Sequence, residues 1–118
     1  MHTGLVVDDA AIMRVRLREI LEPEFHVVAE AGNGNEALSL YEETKPDFVT
    51  LDITMPQLNG IAALKSLLAA DPGARVVIVS AVGQKQIVFD AISIGAKDFI
   101  IKPFDPERVL KSVRRLFE

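Results

Sequence analysis

At 118 residues the chain has the length of one domain and leaves no room for a second. Its 49% apolar and 25% charged residues exclude a disordered polymer, and the absence of cysteine excludes disulfides and thiolate metal sites. Thirteen basic against seventeen acidic residues leave a net charge of −4, a poor match for nucleic-acid phosphates.

Short apolar runs alternate with helical patterns five times along the chain. Leu5 to Val7 reads as the first strand and ends at Asp8 and Asp9, with Asp9 placed to cap a helix over 10–21 whose apolar face is Ala10, Met13, Leu17, Ile20 and Leu21. Pro23 ends that helix. Phe25 to Ala31 predicts the second strand, Gly32 to Gly34 a loop, and Asn35 to Glu43 a helix with Ala37, Leu38 and Tyr41 inward. Phe48 to Leu51 predicts the third strand, ending at Asp52, and Pro56 and Gly60 mark 53–60 as a loop. Ile61, Leu64 and Leu68 mark a third helix, closed by Asp71, Pro72 and Gly73. The unbroken run Val76 to Val79 suits a strand covered on both faces and ends at Ser80. A fourth helix spans Lys85 to Ile94 with Gly95 as a left-handed cap. Phe99 to Ile101 forms the fifth strand, ending at Lys102. Pro106 opens a last helix whose inner face is Val109, Leu110, Val113, Leu116 and Phe117.

Five strand–helix pairs with short connections predict an α/β domain over 1–118: a parallel, doubly wound sheet with helices on both faces. A closed eight-fold barrel would need about 250 residues. No apolar run nears the ~18 residues of a membrane span, and the start of the chain lacks the pattern of a secretory signal, so a cytoplasmic protein is expected.

In such sheets ligands sit beyond the carboxyl ends of the strands, where the strand order reverses. For the common order 2-1-3-4-5, Asp8, Asp9, Asp52, Ser80 and Lys102 open on one cleft. Two carboxylates ~5 Å apart repel by roughly 3 kcal/mol at an effective dielectric of ~20, so either one pKa rises or a cation binds. Three oxygen donors suit Mg²⁺, which keeps several waters and prefers to bind beside phosphate. Lys102 adds a point charge and Ser80 a hydroxyl. The set reads as an anion cradle containing a metal, with one carboxylate free to act as nucleophile.

Val6-Val7-Asp8-Asp9, Asp52 with Met55-Pro56 and Gly60, Ser80-Ala81 and Lys102-Pro103-Phe104 resemble the receiver domains of bacterial two-component response regulators, over the whole chain and in the same order. The stretches 52–56, 80–84 and 96–100 look most like the chemotaxis receivers found outside the enteric bacteria. The resemblance implies a flavodoxin-like sheet of order 2-1-3-4-5 and a regulator that is no enzyme beyond its own phosphotransfer and dephosphorylation. It implies that Asp52 accepts a phosphoryl group from a chemotaxis histidine kinase. Asp9 and Asp52 would ligate Mg²⁺ through their side chains, Asp8 largely through water, and Thr54 through its backbone carbonyl. Ser80 and Lys102 would contact the phosphoryl group, and the Lys102–Pro103 bond would be cis. Ser80, Phe99, Val88, Phe89 and Ile92 would form the switch and output face toward the flagellar motor switch protein. A dedicated phosphatase is a further partner, and a monomer is expected. Ser80 stands where Thr is commoner, and Phe99 where many members carry Tyr; without a hydroxyl, a swing of Phe99 rests on packing alone.

Other readings stand beside these. An aspartyl-phosphate phosphatase would want a second Asp two residues after the nucleophile, where this chain has Thr54. A flavin module would want a phosphate-cradling loop where Asp8 and Asp9 repel phosphate. A receiver of a non-chemotaxis phosphorelay stays open on residues alone. Arg14, Arg16 and Arg18 read as a solvated helix face, with kinase docking the alternative, and His2 and His26 as structural or solvated. In the fourth helix Ile87, Ala91 and Ile94 form the centre of an apolar arc, with Val88 and Ile92 beside it and Phe89 beyond. That arc is wider than the ~100° a surface helix needs, so the helix is either deeply buried or shares an exposed patch with Phe99.

Overall fold

A computed structural model describes residues 1–54 and 60–118. Ten elements alternate along the chain: β1 (Thr3–Val7), α1 (Ala11–Leu21), β2 (His26–Ala31), α2 (Gly34–Thr44), β3 (Phe48–Asp52), α3 (Gly60–Ala70), β4 (Val76–Ala81), α4 (Lys85–Ile94), β5 (Asp98–Lys102) and α5 (Pro106–Arg115). The strands are all parallel in the order β2-β1-β3-β4-β5, as expected for a doubly wound α/β sheet.

Alternation along the strands divides the interior into two layers. Leu5, Val7, Val49, Leu51, Val76 and Ile78 face α2, α3 and α4, where they meet Ala37, Tyr41, Leu64, Leu67 and Ala91. Val6, Val27, Phe48, Val77, Val79 and Ile100 face α1 and α5, against Leu17, Leu21, Val109 and Val113. Helices therefore cover both sides of the sheet, and its ligand-accessible edge is the row of carboxyl ends.

The strands run further toward that edge than their apolar runs suggest. Asp52, Ser80 and Lys102 are strand residues, because the ladder continues through the pairs Asp52↔Val79, Ser80↔Ile101 and Ala81↔Lys102. Asp9 is not the cap of α1. Ala10 holds that position without a side-chain hydrogen bond, and Asp8 takes the Ala10 N–H at 2.9 Å, which leaves Asp9 exposed. Asn33 caps α2 by accepting from the Glu36 N–H at 2.9 Å, and Asp105 caps α5 by accepting from the Arg108 N–H at 2.8 Å. Gly95 ends α4 at φ 142°, and the Lys102–Pro103 bond is cis. The expected loop at 53–60 lies in part outside the described residues, as do Met55 and Pro56.

Two helical faces are rotated from expectation. α3 buries Ala63, Leu64 and Leu67, while Ile61 and Leu68 are half-buried. α4 buries only Val88 and Ala91; the expected central Ile87 is exposed, together with Phe89 and Ile92. Phe89 and Ile92 are thus open to solvent on α4, whereas Val88 packs inward. The arginines of α1 are not simply solvated: Arg14 and Arg18 both grip Glu30 of β2.

Candidate functional site

Five side chains from four strand ends meet at one edge of the sheet. β1 and its turn carry Asp8 and Asp9, and β3, β4 and β5 carry Asp52, Ser80 and Lys102. Each position follows from the register, since neighbouring parallel strands ending together bring their last residues side by side.

Ligand atoms of Asp8, Asp9 and Asp52 all lie within 4.8 Å of one another. Asp8 and Asp52 are buried, at 1% exposure each, and Asp9 stands at the solvent rim. Lys102 Nζ lies 3.2 Å from Asp52 Oδ2 and 3.4 Å from Asp8 Oδ2, so one ammonium bridges the two buried carboxylates. The other oxygens are also engaged. Asp8 Oδ1 accepts from the Ala10 N–H, and Asp52 Oδ1 accepts from both the Thr54 N–H at 2.9 Å and the Thr54 hydroxyl at 2.6 Å.

Burial pushes the Asp8 carboxyl above its ordinary value; the Ala10 N–H opposes that rise, the charge of Asp52 adds to it, and Lys102 resists it. Burial also opposes the charge on Lys102, but Asp52 and Asp8 together outweigh it and raise its pKa. Three carboxyl groups face a single ammonium, so the cluster holds more acidic than basic groups. The donor set is all oxygen and partly desolvated, which fits a hard divalent cation rather than a softer transition metal.

Ser80 completes the cradle. Its hydroxyl is fully buried and has no hydrogen-bond partner among the described residues. An unpaired buried hydroxyl is costly, so a partner from outside the chain is expected. Beside it a cavity of about 300 Å³ is lined by Ser80, Ala81, Val82, Gly83, Val88 and Phe99 among others. Phe99 is half-buried at its edge. Arg108 lies over the Phe99 ring, 6.0 Å from its centre, and donates to the Phe99 carbonyl at 2.8 Å. Phe89, Ile92 and Ile101 are exposed, at 66%, 40% and 43%. A separate cavity of about 420 Å³ beside Tyr41, Lys45 and Asp71 lies at the opposite end of the sheet and has no part in this cluster.

The structure thus brings together Asp8, Asp9, Asp52, Ser80 and Lys102, and places Thr54 against Asp52 through its N–H and hydroxyl. Val88 is separated from Phe89 and Ile92 by the rotation of α4. The sequence places Arg14 on a solvated face and gives no hint of its contact with the site, where its guanidinium donates to the Asp8 carbonyl at 2.7 Å, nor of its partner Glu30. The missed signal was Glu30 itself, an acidic residue within a β-strand that requires a cation nearby.

The sequence pattern of the response regulator receiver domain matches residues 5–114. A chemotaxis protein CheY of Thermotoga maritima is 50% identical over 113 residues, covering 95% of this chain and 94% of the relative. A Bacillus subtilis protein named CcdB is 52% identical over 117 residues, covering 98% of each. Among solved structures, the complex of CheX, CheY, BeF3 and Mg²⁺ from Borrelia burgdorferi superposes with a TM-score of 0.94 at 39% identity, covering 99% of this chain and 90% of that one. With the sheet order, the acidic cluster and these similarities in agreement, the chain belongs to the response regulator receiver domain family and is a homologue of the chemotaxis protein CheY.

Proposed function

We propose that this chemotaxis response regulator is operated by phosphorylation of Asp52 in the presence of Mg²⁺. The observation that carries this reading is the convergence of Asp8, Asp9 and Asp52 on Lys102. Asp9 and Asp52 through their side chains and Thr54 through its carbonyl would hold the ion, with Asp8 contributing largely through water. Once bound, Mg²⁺ neutralises charge on the phosphoryl oxygens.

A carboxylate oxygen of Asp52 attacks the phosphorus of a kinase phosphohistidine. The new P–O bond forms as the P–N bond breaks, and the imidazole nitrogen leaves with the electron pair. Lys102 releases part of its hold on the carboxylates and donates to a phosphoryl oxygen, while the Ser80 hydroxyl donates to another. Satisfying Ser80 draws the β4–α4 loop toward the site and opens the cavity to Phe99, whose movement is one of packing. The exposed Phe89, Ile92 and Ile101 then present an altered surface to the flagellar motor switch, with the chemotaxis kinase as phosphodonor. No helix among the described residues is long and apolar enough to cross a membrane.

Two other readings are weighed on particular observations. A Bacillus subtilis relative 52% identical to this chain carries a name other than CheY, so the same switch serving another phosphorelay is the second reading. The Thr54 hydroxyl donates to Asp52 and offers no carboxylate as general acid or base, which disfavours an aspartyl-phosphate phosphatase.

Acetyl phosphate with Mg²⁺ is expected to label the wild type at Asp52 by mass mapping and to leave Asp52→Asn unlabelled; labelling of that variant to the wild-type extent would remove Asp52 as acceptor. Binding of a motor-switch peptide is expected to strengthen on phosphorylation and weaken in Phe99→Ala. Indifference to both changes would favour the non-chemotaxis reading.

A further inference from the structure

The carboxylate cluster depends on a turn of three residues, Asp8 to Ala10, between β1 and α1. Most of that turn is tied down. The Asp8 N–H donates to the Ala31 carbonyl at 3.0 Å, and the Asp8 side chain takes the Ala10 N–H. Asp9 is different: its side chain is exposed and has no hydrogen bond or ion pair among the described residues. What places its backbone beside the other two carboxylates is the peptide plane joining it to Asp8. The oxygen of that plane accepts from Arg14 Nη1 at 2.7 Å.

Arg14 is itself anchored. Its Nε donates to Glu30 Oε1 at 3.2 Å, and the other Glu30 oxygen is held by Arg18 Nε at 2.8 Å. Arg14 and Glu30 are only about a fifth and a third exposed, at 21% and 29% of their side chains. A planar guanidinium with donors on separate edges can grip a carboxylate and a carbonyl at once; a lysine ammonium is a point charge without that fixed fork.

We propose that Arg14, anchored by Glu30, is a positioning residue for the divalent cation, fixing the Asp8–Asp9 peptide so that Asp9 faces the other two carboxylates. This rests on the Mg²⁺ reading above. The role has a sign that separates it from plain electrostatics. Arg14 is a cation beside a cation site, so if only its charge mattered, removing it would tighten Mg²⁺ binding. If it orients the peptide, removing it weakens binding, since groups that hold metal ligands in place are commonly worth about ten-fold or more in affinity.

The test is isothermal titration of the unphosphorylated protein with MgCl2, alongside thermal unfolding in EDTA. Arg14→Gln is expected to weaken Mg²⁺ binding about ten-fold. Arg14→Lys, which keeps the charge and loses the fork, is expected to weaken it as well. Should Arg14→Gln unfold, Glu30→Gln leaves Arg14 in place with a looser anchor and is expected to weaken binding by a smaller factor. Unchanged or tighter binding in Arg14→Gln, or wild-type affinity in Arg14→Lys, overturns the assignment while leaving the Mg²⁺ reading intact. A wild type that binds no Mg²⁺ overturns both.

Discussion

Thr50 carries a hydroxyl that is fully buried and, like that of Ser80, has no partner among the described residues. The two are not equivalent. Ser80 sits at a strand end beside a cavity, where an incoming oxygen can reach it. Thr50 lies mid-strand, level with Val6 and Val77 in the layer beneath α1 and α5, where no ligand can arrive. Its cost is thus not offset by function, and Thr50→Val, which keeps the shape, is expected to raise the unfolding free energy by about 1 kcal/mol in urea denaturation. A loss of stability would show that the hydroxyl is satisfied after all. Lys102 makes the opposite case. It already neutralises part of the charge a metal would neutralise, so Lys102→Ala is expected to bind Mg²⁺ more tightly than wild type while accepting less phosphate; weaker Mg²⁺ binding would contradict its place as an internal counter-ion.

Elements are locked to one another by a few polar contacts at their ends. Asp98, at the start of β5, accepts from the Ser112 hydroxyl and Arg115 of α5, each at 2.7 Å, and from the Phe99 N–H at 2.8 Å. Burial pushes its carboxyl up, but Arg115, Ser112, the Phe99 N–H and Arg108 together hold it below its ordinary value of 3.8. A carboxyl held low in the folded state contributes stability above its unfolded pKa and loses it as pH falls through the folded one. Asp98→Asn is therefore expected to be less stable than wild type at pH 7, and the difference should shrink below about pH 4. An equal difference at pH 7 and pH 3 in urea unfolding would count against the ion-pair account. Gly60 shows a second kind of lock. A Cβ there would strike the backbone of Ile53, so Gly60→Ala is expected to move the start of α3 away from the site and lower the melting temperature.

For the molecule as a whole, the site is a concentration of like charge that Lys102 offsets only in part. Binding that favours the folded state stabilises it by mass action, about 2.7 kcal/mol when the ligand stands at a hundred times its dissociation constant. Mg²⁺ at that level is expected to raise the unfolding free energy of the wild type by this amount and to do little for Asp9→Ala. Equal stabilisation of both would place the ion elsewhere.

Much of this was legible in the residues alone. β-branched runs such as Val76 to Val79 and the punctuation of Pro and Gly specify the alternation of strand and helix, because their backbone preferences and apolar periods are local properties. The chain order of the acidic and basic residues at strand ends likewise pointed to one cleft, since parallel strands place all their carboxyl ends on one edge. What only the tertiary structure decided is which side chains occupy each other's hydrogen-bonding groups. Whether Asp9 caps a helix depends on Asp8 reaching the Ala10 N–H first. Whether Ile87 is buried depends on how α4 rotates to seat Val88 and Ala91. Whether Arg14 is solvated depends on a glutamate sixteen residues away. These are competitions between distant groups for one partner or one surface, and a pattern read along the chain carries no measure of distance across it.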